Sequence, residues 1–107
     1  MDIYNELQQK IKELEISIKQ LRTSGTNYAQ AERDYKVLLR HEVLKLRDEG
    51  QAIGVIDKIC YGIPEVAEAR FKRDVAKTVY TANLEAINSI KLQMRLLENQ
   101  IQREYGN

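Results

Sequence analysis

Both ends of the chain carry the same helical stripe. Tyr4, Leu7, Ile11, Leu14, Ile18 and Leu21 alternate steps of three and four residues, and Ile87, Ile90, Met94, Leu97 and Ile101 do the same. An apolar stripe that repeats every ~3.5 residues has to be covered by another helix, because a lone helix leaves it in water. The two terminal segments are therefore expected to zip together as antiparallel coiled-coil arms. Leu7, Ile11, Leu14, Ile18, Leu21, Ile87, Ile90, Met94, Leu97 and Ile101 are the expected self-association residues.

The rest of the composition fits helices. One proline and five glycines in 107 residues leave too few turn signals for a sheet protein. A 43% hydrophobic content argues against disorder, while 31% charged residues imply much solvated surface over a thin core, which association would help to cover. The expectation is an all-α, elongated helical hairpin or bundle with a long C-terminal helix, assembled as a homodimer in a single domain over residues 1–107. A monomeric three-helix bundle, folded back at Ser24-Gly25, is the competing arrangement.

Seventeen basic against sixteen acidic residues give a formal charge of +1, so no global field draws the chain to nucleic acid or an anionic membrane. The N-terminal residues lack the basic and apolar regions of a signal peptide, and no run approaches the ~18 apolar residues of a membrane span. Cys60 is the only cysteine, which fits a reducing compartment. These features point to the cytoplasm and away from a membrane partner.

Helix punctuation divides the chain. Ser24-Gly25-Thr26-Asn27 reads as a glycine stop followed by capping side chains, with Asn27 and Gln30 spaced like a capping box. That predicts an arm over residues 1–23 and a second helix over 28–49 that ends at Gly50. Residues 51–61, with Ile53, Val55, Ile56 and Ile59, read as a short buried helix or connector. Pro64 then suits the first turn of a helix over 64–105, roughly 60 Å long.

At 100° per residue the long helix presents two apolar faces. Ala67, Phe71, Val75, Val79, Ala82 and Ala86 share one side, while Tyr80, Ile87, Ile90, Met94, Leu97 and Ile101 drift onto another. The first face is expected to pack on the second helix through Tyr28, Ala31, Tyr35, Leu38, Leu39 and Leu46. Around residues 84–90 the apolar surface is widest, so additional helices are expected there.

Catalytic and metal chemistry find little to work with. His41 and Cys60 are single, so one chain cannot assemble a Cys₂His₂ zinc set, and Cys60 sits in an apolar stretch where a thiol acts as a small hydrophobe. Only an exposed Cys60 beside His41 would revive a nucleophilic role. The glycines are spaced as helix punctuation and no Gly-Lys-Ser/Thr follows them, so there is no phosphate loop. No catalytic residue, cofactor, metal or small-molecule substrate is expected.

Basic residues offer more. Arg33, Lys36, Arg40 and Arg47 fall within about a 60° sector of the second helix, and Arg70, Arg73 and Lys77 line the long helix opposite Phe71 and Val75. Such stripes can neutralise phosphates, or can be solvated faces paired at i, i+3 and i+4 with acids. Glu42 interrupts the apolar stripe of the second helix, and a buried carboxylate there calls for Arg70 or Arg73 as its partner. Tyr28, Tyr35, Tyr61 and Tyr80 could stack on single strands, but three of the four lie on expected packing faces, which favours core or rim positions.

From Ala31 onward, the runs Glu32-Arg33-Asp34-Tyr35, Leu46-Arg47-Asp48-Glu49-Gly50, Ala69-Arg70-Phe71-Lys72-Arg73-Asp74-Val75-Ala76, Glu85-Ala86-Ile87-Asn88 and Gln100-Ile101-Gln102-Arg103-Glu104-Tyr105 resemble small helical proteins of phages and prophages of Gram-positive bacteria. The resemblance implies an early-region accessory protein that works beside recombination or replication proteins, or against a host nuclease. It transfers no active-site residues. The partners expected are a second copy, a host or phage protein and, as the alternative, DNA.

Overall fold

A computed structural model describes residues 2–106, and they are helical almost throughout. The order is α1 (Ile3–Asp48), α2 (Ile53–Ile59), a single 3₁₀ turn (Cys60–Gly62) and α3 (Pro64–Tyr105). No strand occurs among the described residues. The chain divides into two compact units, one built from Met1–Ser24 with Val79–Asn107 and the other from Gly25–Thr78.

The break expected at Ser24-Gly25 does not form. Residues 3–48 make one helix, so the expected arm and second helix are parts of a single element. A glycine inside a helix costs about 1 kcal/mol relative to alanine, which is too little to end a helix that tertiary contacts hold on both sides. Ser24, which the capping reading placed outside the helix, is 5% exposed and donates its hydroxyl to the Leu21 carbonyl at 3.1 Å.

The stop at Gly50 does form, and its geometry explains it. Gly50 has φ +87°, the left-handed conformation that costs L side chains 1–2 kcal/mol, roughly. The Gly50 amide donates to the Arg47 carbonyl at 3.0 Å and the Gln51 amide to the Leu46 carbonyl at 3.1 Å, the paired bonds of a Schellman stop. Beyond it, α2 buries Ile56 and the 3₁₀ turn buries Cys60, while Ile53, Val55 and Ile59 are exposed. The connector is thus a short helix, but only one of its four isoleucine and valine side chains is covered.

In the first unit, α1 and α3 run antiparallel. The Tyr4 and Tyr105 rings lie 5.8 Å apart, and Asn83 reaches Ser24 and Gln20. The inward line comprises Leu7, Ile11, Leu14, Ile18 and Leu21 on α1, with Ile87, Ile90, Met94, Leu97 and Ile101 on α3.

The second unit is also antiparallel, with Arg73 of α3 set over Tyr35 of α1. Tyr28, Ala31, Tyr35, Leu38, Leu39 and Leu46 face inward as expected, but the expected α3 face does not. Phe71 is 62% exposed and Val75 46%, whereas Val66, Ala69, Arg73 and Ala76 point inward. The inward side of α3 therefore keeps one seven-residue repeat from Val66 to Ile101. Apolarity alone missed the first half because alanines and an arginine occupy that line and larger apolar residues occupy the outer one.

Candidate interaction surfaces

Polar side chains interrupt the inward lines in both units. In the first unit the Asn83 side-chain amide donates to the Ser24 hydroxyl at 2.8 Å and to the Gln20 carbonyl at 3.3 Å. This satisfies polar atoms in the seam and ties one turn of α3 to one turn of α1, since a slipped pairing would leave them without partners.

In the second unit the Arg73 guanidinium lies 4.6 Å from the Tyr35 ring centroid, bonds Asp74 at 2.9 Å and approaches Glu32 at 3.8 Å. Partial burial works against its charge, but the hydrogen bond to Asp74 and the charges of Asp74, Glu32 and Tyr35 outweigh it, so the pKa stands above the ordinary arginine value. A base with a raised folded pKa contributes stability that is fully present below its unfolded pKa. Arg73 therefore holds its contribution across the neutral range. The acid that meets Arg73 is Glu32, not Glu42, because the antiparallel register sets Arg73 opposite the turn of Glu32 and Tyr35.

The candidate nucleic-acid residues divide accordingly. Arg33, Lys36, Arg40 and Arg47 are exposed on α1, and Arg70 and Lys77 are exposed on α3, with Arg70 lying 5.5 Å from the Tyr61 ring centroid. Arg73 leaves the stripe, because its side chain is only 21% exposed and is engaged in the seam. Arg33 pairs with Asp34 at 3.2 Å and Lys36 with Glu32 at 3.3 Å. Such exposed pairs are weak, yet they reduce the field a phosphate would feel.

Sequence reasoning missed the apolar residues of that same α1 face. Val37 is 65% exposed and Leu44 42%, and with Lys36, Arg40 and His41 they line a shallow groove of about 460 Å³. Their seven-residue spacing places Val37 and Leu44 in line, as it does Arg33, Arg40 and Arg47. A second groove of about 490 Å³, between α1 and α3 of this unit, is lined by Asn27, Gln30, Ala31, Asp34, Leu38, Glu65, Glu68, Ala69 and Lys72.

All ten expected self-association residues lie in the first unit, half-buried or buried on the facing sides of α1 and α3. Cys60 is 3% exposed while His41 is exposed, so the accessible Cys-His pair that a nucleophilic role requires is not present. Among the described residues no three His, Cys, Asp or Glu side chains converge to hold a metal ion. No described helix is long and apolar enough to cross a membrane. No protein-family model matches the chain, and neither the curated proteins nor the solved structures yield a significant match.

Proposed function

We propose that the chain is a non-enzymatic, phage-type accessory protein of the cytoplasm that self-associates through its helical arms, with coiled-coil packing, and holds a host or phage protein. A nuclease or a replication or recombination factor fits that role. The observation that supports it most is the α1 face of the second unit, where Val37 and Leu44 stand 65% and 42% exposed among Arg33, Lys36, Arg40 and Arg47. Aliphatic side chains in water cost free energy that a protein surface recovers by covering them, and flanking arginines select acidic rims.

The test is affinity capture from nuclease-treated Gram-positive cell extract by the immobilised protein, compared with the Val37→Asp/Leu44→Asp double variant. A stoichiometric protein should be retained by the parent and lost, by at least tenfold, from the variant. Equal capture by both would remove this face from the account.

DNA binding through Arg33, Arg40 and Arg47 is the second reading, favoured by their alignment on one exposed line. It predicts retardation of duplex or single-stranded DNA that falls steeply with salt and weakens further when Arg33, Lys36 and Arg40 become alanine. No retardation at low salt removes it.

A further inference from the structure

The second unit, Gly25–Thr78, presents two surfaces of opposite charge. On the outer side of α1, exposed Val37 and Leu44 form an aliphatic ridge edged by Arg40 and Arg47. Between α1 and α3 of the same unit, the groove of about 490 Å³ has a floor of Ala31, Leu38 and Ala69, all half-buried, and Glu65 and Glu68 on its α3 rim. Lys72 stands a turn further along that rim, and Asp34 on the α1 rim is already engaged by Arg33. Among the described residues Arg40, Arg47, Glu65 and Glu68 take part in no ion pair. An aliphatic ridge edged by free cations and an aliphatic floor edged by free acids are complementary.

We propose that the groove of one copy holds the α1 ridge of a second copy. Val37 and Leu44 of the second copy lie on the floor, where Ala31 and Ala69 let a helix approach closely, and its Arg40 and Arg47 lie along the Glu65 and Glu68 rim. The same charges count against pairing groove with groove, which would set acids together. At 100° per residue, ridge and groove are centred roughly 120° apart around α1. The contact therefore uses different surfaces on the two copies and cannot close as a two-fold pair, so copies add until a ring or a filament forms. The inference rests on the reading of the ridge as an interface in the function proposed above, and it adds a contact beyond the arms. Self-assembly and the outside protein then compete for one ridge.

In sedimentation equilibrium at low salt, the weight-average mass of the full-length parent should rise with concentration beyond that of a dimer. Glu65→Lys/Glu68→Lys and Arg40→Glu/Arg47→Glu change exposed side chains only, and each should weaken this assembly at least tenfold with helix content retained in circular dichroism. An equimolar mixture of the two variants should recover it, because each reversed ridge or groove then finds its opposite charge. A parent whose mass stops at that of a monomer or a dimer overturns this contact, and so do variants that assemble as the parent does or a mixture that recovers nothing. Glu65→Lys/Glu68→Lys keeps the ridge and should still capture the outside protein from cell extract. Capture by the parent without assembly overturns the contact and leaves the proposed function standing.

Discussion

At the scale of single residues, Asn83 and Arg73 do different work from the apolar residues around them. Asn83 serves Ser24 and Gln20 in a place where leucine would bury more surface. Asn83→Ala should therefore lower stability by about 1–2 kcal/mol in urea unfolding, since the Ser24 hydroxyl loses a hydrogen-bond partner. Asn83→Leu should recover that loss at the expense of a single defined register, visible as broadened or doubled amide resonances in NMR. Arg73 is the counterpart in the second unit. Arg73→Ala strips the cover from the Tyr35 ring and leaves half-buried Glu32 with Lys36 as its remaining cation, at a cost of about 1 kcal/mol. The double variant Glu32→Leu/Arg73→Leu should return to the parent stability or exceed it, because it removes both charges from the seam together. A double variant less stable than Arg73→Ala would show that the pair contributes net attraction.

At the scale of elements, the legible parts of the sequence were those where apolarity and position agree. The seam of Leu7 to Leu21 against Ile87 to Ile101, the stop at Gly50 and the start at Pro64 could all be read from residue type and spacing. The helix through Ser24-Gly25 was not legible, because local propensity favours a stop there and an opposing contact comes from the Asn83 side chain, distant in sequence. The inward line of the first half of α3 was equally hidden. Ala69, Arg73 and Ala76 carry less hydrophobicity than Phe71 and Val75, so the larger residues drew the reading to the wrong side. On the candidate surface, the basic stripe of α1 was visible from sequence, but Val37 and Leu44 within it were not. An unburied aliphatic residue is recognisable only once the burial of its neighbours is known. The α1 stop gives a direct check. Gly50→Ala meets no neighbouring atom within 4 Å, yet forces an alanine to φ +87°, so stability should fall by about 1 kcal/mol through backbone strain alone. Gly50→Asn, which tolerates that conformation better, should lose less.

At the scale of the whole molecule, burial is scarce. The fully covered apolar side chains among the described residues are Tyr35, Ile56, Cys60, Val66 and Ile87. Burying an aliphatic side chain contributes about 1.5–3 kcal/mol, so each further side chain that association covers adds measurably to stability. Self-association of the kind proposed would cover exposed apolar side chains and couple folding to association. Stability then follows mass action. For a dimer that unfolds to two chains, a tenfold rise in concentration adds about 1.4 kcal/mol, which corresponds to roughly 3 °C in melting temperature for a pair of chains this size. The thermal midpoint of the parent protein should climb by that amount per decade of concentration, measured by circular dichroism. A flat profile in the parent would mean that one copy folds without help.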